Sequence, residues 1–220
     1  MPVEAVIFDL DGTLIDTEVL SVDTLTEIAG PRYSLDLHKR ILGMPGHQWS
    51  RIVIDELQLD MTPDELVHQW HVILGTKFSS SVLLRGALGL VQNLARQPVK
   101  VALATSSAAK AVELKRAAHP ALFEGFEVIV CGDDPAVVRG KPNPDIFLAA
   151  AARLGIPDMS KCIVVEDSEH GVTAGKAAGM QVVAIPDNRF FAASDIAQRF
   201  GHADVVLNSL EDWDMNALLR

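Results

Sequence analysis

Short apolar runs alternate with stretches of helical periodicity along most of the chain. Five of these runs end in polar or glycine-containing turns and precede a helical stretch: residues 4–8, 99–104, 126–130, 162–165 and 181–185. Strands that are buried on both faces read as continuous Val, Ile and Ala runs, and strands that alternate with helices build parallel sheets. The pattern therefore predicts an α/β fold in which helices cover both faces of a parallel sheet, with a last strand at residues 204–207.

One segment interrupts this alternation. Residues 16–81 contain helical patterns without a convincing strand. The sequence therefore predicts an inserted all-helical unit, while residues 1–15 and 82–220 form the domain that contains the sheet.

Two local signals stand out inside the predicted insertion. A helix is predicted from Pro63 to about residue 78, because Thr62 is a suitable N-cap and Glu65 follows it by three residues. The two glycines and the proline of Gly43-Met44-Pro45-Gly46 predict a turn that a substrate can approach closely.

Composition and charge narrow the classes of function. The 220 residues are 49% hydrophobic and carry a net charge of -10, which disfavours nucleic acids and membrane surfaces as partners, because these are bound by clustered Lys and Arg. No apolar run approaches the roughly 18 residues of a membrane span, and no targeting segment is expected before the first strand. Cys131 and Cys162 lie in runs predicted to be buried strands, so two reduced thiols, a cytoplasmic protein and, by default, a monomer are expected.

Candidate chemistry lies just after the predicted strands, because ligands of open parallel sheets bind beyond the carboxyl ends of the strands. Asp9 and Asp11 follow the first strand. Carboxylates this close to each other suit a divalent cation, so Mg²⁺ is expected, bound by the Asp9 carboxylate and by the main-chain carbonyl of Asp11. Gly12 supplies a tight turn, and Thr13 is a candidate phosphate ligand. The alternative is a solvated Asp-x-Asp loop.

Hydroxyl groups follow the second predicted strand. Thr105, Ser106 and Ser107 are predicted to open a helix that continues through Ala118, where hydroxyls and free amides form an anion site. Thr105 is a candidate catalytic residue and Ser106 a candidate phosphate ligand. Ordinary helix capping by Ser106 or Ser107 is the alternative, and it is compatible with anion binding.

A lysine and an acidic pair complete the set. Lys141 stands between a glycine and a proline, and its ammonium group is suited to neutralise a phosphoryl oxygen; a solvated charge is the alternative. Asn143 is predicted to cap a helix whose first residue is Pro144. Glu166 and Asp167 follow another buried run and are candidate metal ligands, with a favourable interaction with a helix start as the alternative.

The order of these motifs resembles the haloacid dehalogenase superfamily of phosphohydrolases. The motifs are Asp-x-Asp-Gly-Thr, an apolar run that ends in Thr, Lys-Pro and Glu-Asp, and they span residues 9–167. The resemblance implies a Rossmann-like core, a helical cap at residues 16–81, Mg²⁺ as cofactor and an aspartyl-phosphate intermediate. It also implies these roles: Asp9 as nucleophile, Asp11 as acid and base, Thr105 as phosphoryl ligand, Lys141 as charge clamp, and Glu166 with Asp167 as metal carboxylates.

Within the superfamily, the chain resembles the pseudouridine-5'-phosphatase group and its glycerol-phosphatase relatives. Gly132-Asp133-Asp134-Pro135 and the Gly-Lys-Pro-Asn-Pro-Asp run around Lys141 carry this likeness. It implies a small phosphorylated metabolite as substrate, with pseudouridine 5'-phosphate favoured over glycerol 3-phosphate or a sugar phosphate. Gly43 and His47 are candidate substrate contacts, although a His that only packs within the cap is an equal alternative.

A sugar phosphomutase and a signalling receiver domain are alternative interpretations of the same motifs. β-Phosphoglucomutases carry an Arg in the cap loop that this chain lacks at residues 43–47, so a hydrolase is favoured over a sugar phosphomutase. Signalling receiver domains also combine aspartates, a Thr, a Lys and Mg²⁺ on a parallel sheet. They lack a helical insertion and an acid/base two residues after the nucleophile, which disfavours that reading.

Overall fold

A parallel sheet organises the larger part of the chain. The computed structural model describes residues 2–218. The sheet has six strands in the order β5-β4-β1-β6-β7-β8, and every neighbouring pair is parallel. The strands are β1 (Ala5–Phe8), β4 (Lys100–Ala104), β5 (Val128–Val130), β6 (Cys162–Glu166), β7 (Gln181–Ala184) and β8 (Val205–Val206).

Both faces of the sheet are buried under helices. Alternation along β1 places Val6 and Phe8 in one apolar cluster and Ala5 and Ile7 in another. The first cluster contains residues of α5 (Ala87–Leu94), α6 (Ala109–Ala118) and α7 (Pro120–Phe123), and the second contains residues of α8 (Asp145–Leu154), α9 (Glu169–Ala177) and α10 (Ala193–Phe200). The predicted parallel α/β architecture is confirmed, and burial on two faces explains the continuous apolar runs.

The helical insertion forms a compact unit of its own. Contacts divide the chain into one unit made of residues 2–16 with 82–218 and a second unit, Thr17–Ser81. The second unit consists mainly of α1 (Glu18–Ala29), α2 (Leu35–Ile41), α3 (Gly46–Leu57) and α4 (Pro63–Lys77). Its apolar cluster includes Leu25, Leu37, Trp49, Val53 and Leu66.

A short antiparallel pair lies where the insertion begins and ends. β2 (Ile15–Asp16) pairs with β3 (Val82–Leu83), so that Ile15 lies opposite Leu83 and Asp16 opposite Val82. The expectation that the segment from residue 16 contains no strand is therefore wrong at Asp16. Two residues are too few to show a period-2 pattern, so the sequence carries no signal for this pair.

The helix starts agree with the sequence in one case. α4 begins at Pro63, and Thr62 forms the predicted capping box with Glu65: the Glu65 main-chain N donates to the Thr62 hydroxyl, and the Glu65 carboxylate accepts from the Thr62 main-chain N. A local capping signal is sufficient here because all partners lie within four consecutive residues.

Two other predicted caps are wrong. The helix after β4 begins at Ala109 rather than at Ser106 or Ser107, and its Ala109 N donates to the Asp133 carboxylate at 2.9 Å. Asn143 does not cap α8, which begins at Asp145 and has Pro144 at its N-cap position; the Asn143 side-chain amide donates to the Gly140 carbonyl at 3.0 Å. At α6, therefore, a carboxylate from another loop takes the place of the local cap.

Both cysteines are free thiols. Cys162 begins β6 and is buried, and burial raises the pKa of its thiol to about 11. The prediction that Cys131 lies in a buried strand is wrong, because Cys131 follows the end of β5 and is partly exposed. Among the described residues, no helix combines the length and the apolar character needed to cross a membrane.

α11 (Met215–Leu218) is the last element of the described chain. Just before it, Leu210 and Trp213 pack into the apolar cluster that also contains α5. The C-terminal segment thus contributes to the core on the same face of the sheet as α5.

Candidate active site

Three neighbouring strands bring the predicted motifs to one edge of the sheet. Asp9 follows β1, Thr105 follows β4, and Glu166 is the last residue of β6. Because β1 lies between β4 and β6 and all three are parallel, their carboxyl ends lie side by side. The sheet topology therefore converts residues that are far apart in sequence into one cluster.

Asp9 is a buried carboxylate in contact with a lysine. Asp9 is 6% exposed. Its main-chain N donates to the Val165 carbonyl at 2.9 Å, and its Oδ1 accepts a hydrogen bond from Lys141 Nζ at 2.5 Å. Burial raises the pKa of Asp9 to about 7; Lys141 opposes this rise, whereas the Glu166 and Asp11 carboxylates add to it. Asp9 is thus a carboxylate held in one orientation in a poorly solvated position.

Lys141 connects two buried carboxylates. Besides Asp9, its Nζ donates to Glu166 Oε1 at 2.6 Å and to the Ala104 carbonyl at 3.2 Å, and it lies 4.9 Å from the centre of the Phe147 ring. Burial acts to lower the pKa of Lys141, but the charges and hydrogen bonds of Asp9 and Glu166 outweigh it and raise the pKa above its ordinary value. Lys141 is therefore a fixed positive charge at neutral pH.

Glu166 is fully buried and uses both of its carboxylate oxygens. Oε1 accepts from Lys141, while Oε2 accepts from the Asp167 N at 3.1 Å, the Ser168 N at 3.0 Å and the Ser168 hydroxyl at 2.9 Å. A Cβ on Gly171 would lie 1.8 Å from the Glu166 carboxyl carbon, so only glycine fits at this point of α9. Glu166 therefore stands at the end of β6, before the helix, and Ser168 is the residue that caps α9.

Asp167 is held by the first motif. The Thr13 hydroxyl donates to Asp167 Oδ1 at 2.7 Å, and a Cβ on Gly12 would lie 2.2 Å from Asp167 Oδ2. Gly12 has a φ of 82°, a conformation that L side chains rarely adopt, so both the conformation and the space require glycine. Thr13 is fully buried and its hydroxyl is engaged with Asp167, and phosphate binding by Thr13, which the sequence predicts, stays a prediction.

Three carboxylates form a candidate metal site. Asp9, Glu166 and Asp167 each offer an oxygen, and these oxygens lie within 4.8 Å of one another. Oxygen ligands are those that Mg²⁺ prefers, and the clustering of negative charge fits a divalent cation. Asp11 would contribute through its main-chain carbonyl, as the sequence predicts, since its carboxylate has other partners.

The Asp11 carboxylate belongs to a second cluster, which includes a residue that the sequence analysis missed. Lys115 Nζ lies 2.5 Å from Oδ1 and 2.7 Å from Oδ2 of Asp11, and the Ser107 hydroxyl donates to Oδ2 at 2.8 Å. The Thr105 hydroxyl lies 3.4 Å from Oδ2 and accepts from the Ser107 N at 3.1 Å. The spacing from Val112 could have revealed Lys115, because residues three apart in a helix lie on the same face and Val112 is on the buried side of α6.

The remaining predicted site residues lie outside these two clusters. The Ser106 side chain is exposed. A Cβ added to Gly132 would lie 2.2 Å from the Ser106 main-chain oxygen, so the two loops approach each other closely through their backbones. Gly43 has a φ of 76° and follows α2, and His47 is in the first turn of α3, so both belong to the Thr17–Ser81 unit. Phosphate binding by Ser106 and substrate binding by Gly43 and His47 stay predictions.

Comparisons with known proteins agree with this geometry. A family model described as haloacid dehalogenase-like hydrolase matches residues 3–179. The chain is 40% identical over 212 residues to a Drosophila melanogaster protein named "Probable pseudouridine-5'-phosphatase", covering 94% of this chain and 90% of the relative. It is 34% identical to (DL)-glycerol-3-phosphatase 2 of Arabidopsis thaliana, covering 94% and 88%.

A solved structure extends the likeness to the fold. A conserved haloacid dehalogenase-like protein of unknown function from Agrobacterium tumefaciens matches with a TM-score of 0.80 and 25% sequence identity, covering 96% of this chain and 95% of its own. Sequence and fold therefore lead to the same family.

Proposed function

The chain belongs to the haloacid dehalogenase-like hydrolase family and is a phosphatase, and we propose that it hydrolyses small phosphomonoesters with Mg²⁺ through a phosphoryl group carried on Asp9. The observation that carries this proposal is the environment of Asp9. A buried carboxylate at the end of β1 is paired with Lys141 and lies beside the carboxylates of Glu166 and Asp167. This arrangement favours an oriented nucleophile over a solvated loop.

In the first half of the reaction, an Asp9 carboxylate oxygen attacks phosphorus while the bond from phosphorus to the leaving oxygen breaks. Asp11 donates its proton to that oxygen, which departs as an alcohol. Lys141 is held beside Asp9, where it can stabilise the charge on the transferring group. Bound Mg²⁺, held by Asp9, Asp167, the Asp11 carbonyl and Glu166, would neutralise phosphoryl oxygens there.

In the second half, water attacks phosphorus and releases the Asp9 carboxylate. Asp11, now ionised, accepts a proton from the attacking water, so one residue serves as acid and then as base. The products are the alcohol and inorganic phosphate, and Asp9 and Asp11 return to their starting states.

The names of two relatives and the chain's charge support the proposed substrate class. Two relatives are named as phosphatases of pseudouridine 5'-phosphate and glycerol 3-phosphate, both small alkyl phosphates. The chain carries a net charge of -10, so the substrate's negative charge must be met locally by Lys141 and the metal. We favour pseudouridine 5'-phosphate, with the Thr17–Ser81 unit acting as the cap that excludes water and selects the leaving group.

Phosphate release from a panel of alkyl phosphates tests this function. Wild-type protein should release phosphate with Mg²⁺ and not with EDTA, and Asp9→Asn should lose activity by more than roughly 10⁴-fold, the scale seen when a nucleophile is removed. Asp212→Asn is the matched control, because Asp212 is an exposed carboxylate of the same unit. Activity that persists in Asp9→Asn would contradict the covalent route, and a requirement for a sugar bisphosphate would favour a mutase.

A further inference from the structure

Lys115 is a fully buried cation with no assigned part in the proposed reaction. It lies on α6 with 1% exposure, and its Nζ contacts both Asp11 oxygens and, at 2.9 Å, the Ser107 hydroxyl. Ser107 in turn donates to Asp11. Lysine, serine and aspartate thus form a closed triangle that connects α6 and the loop after β4 to the loop after β1.

Helix packing alone does not explain a lysine at this position. Val112 and Lys115 are the buried residues of α6, so an apolar side chain at 115 would continue the buried face. A buried ammonium group is unfavourable unless a counter-ion and hydrogen bonds compensate it. Its partner is Asp11, which is 104 residues distant in sequence and has a side chain that is 28% exposed. The ion pair with Asp11, and not the packing of α6, therefore explains why a lysine occupies position 115.

We propose that Lys115 is a positioning residue: together with Ser107 it fixes the direction of the Asp11 carboxyl group for proton transfer to the leaving oxygen. This inference rests on the proposed function, in which the Asp11 proton passes to that oxygen as its bond to phosphorus breaks and the bond from Asp9 forms. An Asp side chain can otherwise rotate about two bonds, and a displacement of about 1 Å can lower a rate about 10²-fold. Lys115 is buried and its assigned role acts through Asp11.

The role predicts a rate loss that depends on the leaving group. An alkoxide requires a proton as it departs, whereas p-nitrophenolate leaves readily without one. Lys115→Met should therefore lower kcat/KM by about 10- to 100-fold for the alkyl phosphate that the wild-type protein hydrolyses fastest, and by less than about threefold for p-nitrophenyl phosphate. A ratio measured on one preparation does not depend on the fraction of protein that is folded.

Two matched variants and a double mutant sharpen the test. Arg116→Met removes the next cation of the same helix, whose side chain is 44% exposed, and should leave the ratio between the two substrates unchanged. Ser107→Ala removes the hydroxyl and keeps both charges, and it should show the same dependence on the leaving group with a smaller loss. In an Asp11→Asn background, Lys115→Met should cause no further loss with the alkyl phosphate.

Several results would overturn the proposal. These are an equal loss for both substrates, no loss for either, or independent losses from Lys115→Met and Asp11→Asn that simply add. If Lys115→Met does not accumulate as folded protein, an unchanged substrate ratio in Ser107→Ala has the same force. A wild-type protein that releases no phosphate from any substrate would count against the proposed function, so the two failures are distinguishable.

Discussion

Asp9 and Asp11 are two residues apart, yet each is paired with a different lysine. Lys141 contacts Asp9 from the loop after β5, and Lys115 contacts Asp11 from α6. In an extended chain, side chains two residues apart lie on the same face, so Asp9 and Asp11 would be expected to point the same way. The chain turns directly after Asp11, however, at Gly12, which has a φ of 82°. Separate counter-ions allow two neighbouring carboxylates to have different tasks.

The space at Gly12 makes a testable prediction. Gly12→Ala would place a methyl group 2.2 Å from Asp167 Oδ2, at a φ that alanine adopts only with strain, so Asp167 must move. We expect the Mg²⁺ concentration for half-maximal activity to rise on the order of tenfold. The measurement is a Mg²⁺ titration of activity.

Gly89→Ala is the control for this variant, because Gly89 is a helical glycine with nothing within 4 Å of the place that an added methyl group would occupy. It should leave the Mg²⁺ titration unchanged and stabilise the helix by up to about 1 kcal/mol. An unchanged Mg²⁺ requirement in Gly12→Ala would show that Asp167 is not a metal ligand.

The sequence locates those site residues that follow strands, because topology alone brings strand ends together. Asp9, Glu166 and Asp167 are of this kind, and the structure places them in one cluster with Lys141, which reaches it from the loop after β5. Lys115 was missed because a single lysine in a helix is usually solvated, and its burial depends on a partner distant in sequence.

At the scale of elements, helix starts divide into those set locally and those set by distant loops. α4 has its capping box within residues 62–65, and the sequence predicts it. α6 begins at Ala109, whose N–H is accepted by Asp133 from the loop after β5. Strands that are buried on two faces are predictable, like α4, from consecutive residues, because they form a continuous apolar run. β2 and β3 have only two residues each, which is too short for a recognisable pattern.

Removing the cap of α4 should weaken the helical unit. Thr62→Ala deletes the acceptor for the Glu65 N–H and should lower the free energy of unfolding by about 1 kcal/mol. Urea unfolding followed by tryptophan fluorescence is suitable, because Trp49 and Trp70 lie in this unit. Thr26→Ala, in the exposed interior of α1, is the matched control and should change stability little. Equal effects of the two variants would contradict a capping role for Thr62.

At the scale of the molecule, both the whole chain and the candidate active site are rich in negative charge. The chain carries a net charge of -10, and the site contains a cluster of three carboxylates, two of which contact Lys141. The sequence indicates the α/β class and an inserted helical segment, because both are encoded in long periodic patterns. The action of the Thr17–Ser81 unit as a cap stays a prediction, since short-range patterns carry no information on how separate units act together.

Magnesium should stabilise the folded protein even without substrate. A ligand that binds only the folded state at about 100 times its dissociation constant adds ~2.7 kcal/mol, which corresponds to a rise in Tm of about 5 to 10 °C for a chain of this size. Differential scanning calorimetry with MgCl₂, against NaCl of equal ionic strength, measures this shift. Asp167→Asn should lose most of the shift and Asp212→Asn should keep it; an equal shift in both would remove Asp167 from the metal site.

The pairing of β2 with β3 determines how the inserted unit is joined to the rest of the chain. Ile15 and Asp16 lie opposite Leu83 and Val82, so the points where the backbone departs and returns are adjacent, about 5 Å apart as in any antiparallel pair. The geometry of the main sheet therefore does not depend on the number of residues inserted between β2 and β3. Exchanging segment 17–81 for a tight hairpin should leave the six-stranded scaffold able to fold, which makes this junction a natural point for grafting modules from other proteins.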